Sequence, residues 1–370
     1  MAFLLAVLLA IPSPAPPSAA RPFLFAARDS VLLSWLEPGA LRFARYRNGA
    51  WSEPRTIASS DQFFVNWADF PSIVEDRDGV LYAHWLEKSS GDTYAYDVRM
   101  SISNDGGKTW ISSFLLNRDG KKNEHGFASL APLPSGVAAT WLDGRNMVEG
   151  KEEGEMTIRY ATIDARGAIA NETQLDARTC ECCTTGMAMT SSGPLIAYRD
   201  RSADEIRDIV VARRTSKGWT QPRIVHADNW KMNGCPVNGP QVDAIGSNVA
   251  IAWFTGANDR ARAFVAFSDD AGATFGAPIA IDEGKPAGRV DVVLLDRDTA
   301  LVTWLELAEV RARVVHRGGS VDASIKVADT TSARAAGFPR IARLGNDVFV
   351  AWRGANGIAV ARLALPSARK

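Results

Sequence analysis

The sequence predicts an all-β fold, a β-propeller of four-stranded antiparallel blades, and three observations carry that expectation. An apolar strand ending in an aromatic residue recurs seven times, with markers at Trp35, Trp85, Trp141, Tyr198, Trp253, Trp304 and Trp352, 48 to 57 residues apart. The segments between markers alternate with period two, and no long 3.6-residue stripe of a helical solenoid runs through them. Turn clusters rich in Gly, Asp and Asn separate the strands at hairpin intervals.

Taken in order, the first unit is marked by SVLLSWLE around Trp35. The second shows all four strands, a to d, in FPSIVED, VLYAHWL, DVRMSIS and TWISSFLLN, with turns at RDG and NDGG. VAATWLDGR, PLIAYRDR, VAIAWFTG and ALVTWLEL mark the third to sixth units. The last unit, GFPRIARL, DVFVAWRG and GIAVARLAL, shows three strands before the chain ends. Either that blade is three-stranded, or the N-terminal segment supplies its fourth strand, or the end units merge. Seven blades are expected, with six as the alternative. The recurring tryptophans are expected to fill the wedge between blades, each burial being worth about 2–3 kcal/mol.

With 42 basic and 42 acidic residues, the chain has no net field to gather nucleic acid or an acidic membrane. Phe3 to Ile11 is a short apolar run, and Pro12 to Ala20 is rich in Pro, Ser and Ala. Residues 1–20 therefore read as a signal peptide cleaved near Ala20, although no charge precedes Arg21, and 21–370 as a single propeller domain. A secreted or periplasmic protein is expected, with no span of the membrane in the mature chain.

Residues 103–110 read SNDGGKTW, with Ser103, Asp105, Gly107 and Trp110 in an S-x-D-x-G-x-x-W pattern; SDDAGATF repeats it with Ser268, Asp270, Gly272 and Phe275. The pattern, in phase with the strand repeat, resembles the Asp-box of the sialidase superfamily of propellers. The resemblance implies that fold over nearly the whole mature chain, and an exo-α-sialidase-like glycoside hydrolase if the protein is an enzyme. Sialidases hold a substrate carboxylate with three arginines, protonate the leaving group with an Asp and attack through a Tyr assisted by a Glu. Their F-R-I-P arginine motif is not matched here: the second unit begins DFPSI, and the nearest shuffled form is Phe338-Pro339-Arg340-Ile341.

Up-and-down strand order places the d-to-a and b-to-c loops on one rim, where propeller sites form. Candidate catalytic acids there are Asp69, in NWADFP, with Asp143 and Asp200; candidate substrate-binding residues are Arg145, Arg199, Arg207 and His125, the last in NEHGF. Arginines in bidentate geometry suit a carboxylate, sulfate or phosphate. Equally, neighbouring Arg and Asp residues can pair with each other and staple adjacent blades.

Cys180, Cys182, Cys183 and Cys235 allow two readings. A disulfide from Cys235 to one of the other three would bridge two blades; all four could instead hold a soft metal such as copper(I). The acidic run at 149–155 reads as a solvated excursion or a lid over the channel. No nucleotide-binding loop is present, and no cofactor follows from the motifs. The expected partner is a glycan or other small-molecule ligand, taken by an enzyme acting on an acidic glycan or by a non-catalytic propeller binding a glycan, a protein or a soft metal. The sequence gives no oligomeric state.

Overall fold

A computed structural model describes residues 7–365, apart from 150, 152, 332 and 334. Seven antiparallel sheets follow one another around a ring, making a seven-bladed β-propeller. The second blade shows the pattern: Ser72–Glu75, Leu81–Lys88, Tyr96–Ser103 and Phe114–Leu115 run up and down as strands a to d. In the first and fourth blades the outer strand is split into two short pieces, Ala50–Trp51 with Arg55–Ser59 and Gly218–Trp219 with Arg223–Ile224. Strand a of each blade touches strand a of the next, and the seventh blade meets the first, so the innermost strands surround a central channel.

The last blade is closed by the beginning of the chain. Gly337–Leu344, Asp347–Gly354 and Gly357–Ala364 are its strands a to c, and Val7–Ile11 pairs antiparallel with the third, Leu9 opposite Arg362. Six blades are thereby set aside. The closing strand comes from the segment expected to be removed as a signal peptide, and Ala19, beside the expected cleavage point, is fully buried. Cleavage near Ala20 would leave this blade three-stranded, with the ladder groups of Gly357–Ala364 facing solvent. Residues 1–6, and Gly150 and Glu152 of the acidic run, lie outside the described residues.

The recurring markers have a second role beyond filling space. Trp35, Trp141, Trp253 and Trp304 are fully buried, and a buried indole N–H needs an acceptor. In the W-L-E and W-L-D units the acid two residues on supplies it: Trp35 donates to Glu37 (3.2 Å), Trp85 to Glu87 (2.9 Å), Trp141 to Asp143 (2.7 Å) and Trp304 to Glu306 (2.8 Å). Residues i and i+2 share a strand face, which is why this spacing works. Trp253, with Thr255 in that position, takes its acceptor from Asp228 (2.8 Å), and the Tyr198 hydroxyl donates to Asp176 (2.8 Å) rather than to Asp200 two residues on.

The two S-x-D-x-G hairpins close in the same way. Ser103 Oγ bonds Asp105 (2.8 Å) and receives the Gly107 N–H (2.8 Å), while Asp105 also receives the Thr109 N–H (2.9 Å). Ser268, Asp270, Gly272 and Thr274 repeat the set. Gly107 has φ +84° and faces the Phe43 ring, so both conformation and space exclude a side chain.

Candidate functional site

Strand a begins with a repeated backbone irregularity. In the first, third, sixth and seventh blades the a–b register shifts near the start of strand a, and the extra residue is left-handed without being glycine: Arg21 (φ 59°), Phe127 (φ 50°), Arg289 (φ 56°) and Phe338 (φ 51°). Bulges re-aim side chains, and left-handed backbone at non-glycine residues costs roughly 1–3 kcal/mol each. Four such costs on one rim mark it as a place where side-chain direction matters more than strand regularity.

A cluster of aromatic and arginine side chains packs beside these bulges. The Phe338 ring lies 5.8 Å from Trp67 and 5.2 Å from Phe70. The Arg289 guanidinium stands 4.5 Å over the Phe338 ring, and Arg340, two residues beyond that bulge, lies 4.8 Å over Phe70. Arg340 is 8 % exposed, its Nε has no hydrogen-bond partner, and among the described residues it forms no ion pair. It lines a cavity of about 90 Å³ with Asp69, Ser72, Ser129, Thr184 and Gln241. It also lines a wider one of about 980 Å³ toward the opposite face, which Asp243 and Asp291 share.

Asp69 is the sequence-derived candidate that the fold brings to this cavity. It is buried, accepts the Phe127 N–H at the third-blade bulge, and is pushed up to about 7: burial raises it, and the backbone N–H groups and Arg340 only partly offset that. Beside it is a group that sequence reasoning missed. The fully buried Tyr96 donates its hydroxyl to Glu124, whose carboxyl burial and the charges of Asp69 and Glu181 push up to about 7. Tyr96 itself is raised well above the ordinary phenol value, by burial and then by Glu124 and Asp69. Gly126 allows the meeting, since a Cβ there would stand 2.5 Å from Asp69 Oδ2 and 3.0 Å from Tyr96 Cε2. The signal lay in the odd loops NWADFP and NEHGF, but nothing local pairs Glu124 with Tyr96, 28 residues earlier.

The other candidates are engaged within the protein. Asp143, fully buried, takes the Trp141 indole and a two-pronged contact from Arg145, Nε to Oδ1 (2.7 Å) and NH2 to Oδ2 (2.8 Å). Arg145 continues to Glu172 (3.1 Å), which also holds Arg159 (3.0 Å). His125 is buried in the same cluster, 3.0 Å from Asp119 and 3.9 Å from Asp143. Burial alone would lower its imidazole, but Asp119, Asp143 and Asp97 hold it above the usual histidine range. Arg199, 1 % exposed, donates to the carbonyls of Asn238 (2.9 and 2.8 Å), Arg207 (2.5 Å) and Phe254 (2.6 Å) and stacks 4.8 Å over Trp230. Arg207 is held by Glu181 (2.9 Å), Glu205 (3.0 Å) and the Met232 carbonyl (3.1 Å). Asp200, half-buried, is pushed up to about 6, mainly by burial and then by Asp176 and Asp208. It lies on the fourth blade and does not line the cavity of Asp69 and Arg340.

The cysteines divide. Cys182 and Cys235 form a disulfide joining the loop before strand a of the fourth blade to the loop before strand a of the fifth. Cys180 and Cys183 are free and buried.

No protein-family model and no curated protein sequence matches this chain. Solved structures do resemble it in fold. An ulvan polysaccharide lyase bound to -[GlcA(1-4)Rha3S]- superposes with a TM-score of 0.63 at 12% identity, over 95% of each chain. The phage phi92 endosialidase gives 0.53 at 9% identity, over 99% of this chain and 70% of that one. The Hadza microbial sialidase Hz136 gives 0.50 at 13% identity, over 95% of this chain and 75% of that one. The likeness is one of propeller architecture.

Proposed function

We propose that the protein is an exported glycan-acting propeller, a sialidase-like glycoside hydrolase that takes an acidic saccharide at the channel mouth. The observation that carries this reading is the meeting of Asp69 with the Tyr96–Glu124 pair beside Arg340, whose Nε has no hydrogen-bond partner. Two interacting carboxyls that both titrate near neutrality can share the work of acid and base, one protonated while the other is ionised. Asp69 is assigned as the general acid, Glu124 as the base acting through or beside Tyr96, and Arg340 as the group that receives the saccharide's anionic substituent. Asp143, Arg145, Arg199, Arg207 and His125 then hold the third to fifth blades together around this site. The Cys182–Cys235 bond supports export, because disulfides persist in oxidising compartments.

A second reading, binding without turnover, has one observation in its favour: the Tyr96 side chain is fully buried and stacked on Phe64 (4.0 Å), out of reach of a ligand unless the mouth opens. Incubating the protein with sialosides and uronate-containing polysaccharides separates the readings. Hydrolysis gives new reducing ends, elimination gives ultraviolet-absorbing unsaturated uronates, and a binder gives neither while still shifting in a titration.

A further inference from the structure

The four cysteines occupy different environments. Cys235 is exposed, Cys182 is half-buried, and the two are bonded to each other. Cys180 and Cys183 are 1 % and 2 % exposed and carry no bond. They flank the turn at Glu181 and Cys182, so they stand at its first and fourth positions, a spacing that brings chain ends together. Their sulfurs are 2.8 Å apart, and Cys180 Sγ is 3.9 Å from Cys182 Sγ.

Those separations discriminate between the chemistries open to such a cluster. Two thiolates on one tetrahedral zinc, each about 2.3 Å from the metal, stand ~3.8 Å apart, and a linear copper(I) spreads them further. A disulfide brings them to about 2.05 Å. The buried pair is thus already closer than a metal would hold it, and a small side-chain rotation closes it. Burial also shields both sulfurs from a bulky oxidant, while the bond between Cys182 and the exposed Cys235 lies within reach of Cys180.

We propose that Cys180 and Cys183 are a buried redox pair that closes to a second disulfide by exchange through the Cys182–Cys235 bond. In the first step Cys180 loses its proton and attacks Cys182 Sγ; the Cys180–Cys182 bond forms, the Cys182–Cys235 bond breaks, and Cys235 leaves as a thiolate that takes up a proton. In the second, Cys183 loses its proton and attacks Cys180 Sγ, releasing Cys182 as a thiol. Two electrons and two protons have then moved outward from the buried pair to Cys182 and Cys235. An external low-molecular-weight disulfide re-forms that outer bond and is itself reduced to two thiols. The product has both junctions closed, the turn pinned on itself and the fourth blade tied to the fifth.

The test uses the full native chain and oxidised glutathione. Samples are quenched in acid at intervals, unfolded, alkylated and mapped by mass spectrometry. The expected end product carries the Cys180–Cys183 and Cys182–Cys235 crosslinks together, with alkylatable Cys235 appearing transiently before the inner pair closes. In Cys235→Ser, which has no outer bond to exchange, closure of the inner pair slows by about tenfold or more. If that variant does not fold, the transient in the wild type still decides the route. Cys180 and Cys183 remaining alkylatable while the outer bond is intact would overturn the proposal. So would closure as fast in Cys235→Ser as in the wild type, or stoichiometric zinc or copper on the inner thiols.

Discussion

Replacing Asp69 by asparagine should stabilise the protein at alkaline pH and abolish glycan turnover. Asp69 is held at about 7 in the folded protein against an ordinary 3.8, chiefly because burial penalises its charged form. The folded state therefore binds the proton more tightly than the unfolded chain does. This group's contribution to stability is full below 3.8 and is lost as pH rises to about 7. Above that, the folded protein carries a charge whose burial costs about 4 kcal/mol, at about 1.36 kcal/mol for each tenfold change in proton affinity. Asparagine keeps the shape and one oxygen for the Phe127 N–H, but its amide nitrogen replaces the other acceptor, which returns about 1–2 kcal/mol of the gain. The net expectation is a variant about 2 kcal/mol more stable near pH 8.5 and no more stable than wild type near pH 5. Urea unfolding at the two pH values measures it. A stability difference that does not change with pH, or a wild type that gains on the variant as pH rises, would refute the argument that a buried, costly carboxylate is retained there for its chemistry.

Four further outcomes are expected. Asp143→Ala leaves the Trp141 indole and the Arg145 guanidinium without their buried acceptor and should cost about 3–5 kcal/mol in chemical denaturation, lowering activity only through loss of folded protein. Arg340→Met removes the positive charge facing the buried Asp69 and Asp291, which should push both carboxyls further up, and should weaken binding of a uronate or sialate oligosaccharide by tenfold or more, roughly 1.4 kcal/mol, in calorimetric titration. Gly107→Ala, which forces a Cβ toward Phe43 at φ +84°, should destabilise the second blade by about 2–4 kcal/mol with no change in ligand affinity per folded molecule. Deleting residues 1–11 should lower the melting temperature by about 5 °C or more and promote association through the freed strand Gly357–Ala364, read by scanning calorimetry and light scattering.

The fold was legible because a propeller repeats its own signature: each Trp marker sits at the same layer of its sheet, and the alternation around it is unambiguous. The acid two residues after the tryptophan was also visible in W-L-E and W-L-D, although its purpose, satisfying the indole, emerges only when the residue is seen buried. The site was less legible for three physical reasons. Adjacent Arg and Asp residues such as Asp143 and Arg145 look the same in sequence whether they face a ligand or each other. Tyr96, Glu124 and Asp69 come together from the start of one strand and two separate loops, so no local spacing announces them. An apolar pentapeptide such as Val7–Ile11 has the composition of both a leader's core and a closing strand, and its ladder with Gly357–Ala364 is visible only in the fold. Cysteine pairing lay between these cases: a bridge from Cys235 to the 180–183 cluster was readable from the loops, but the choice of Cys182 needed the turn.

The most direct test of the central claim is turnover of acidic glycans by purified protein, wild type beside Asp69→Asn, with folding of both verified by circular dichroism. The account predicts hydrolysis, as new reducing ends, by the wild type on a sialylated or uronate-containing substrate, and none by the folded variant. Equal turnover by the two proteins, or tight binding of the same glycans with no product from either, would contradict the placing of an active centre at Asp69.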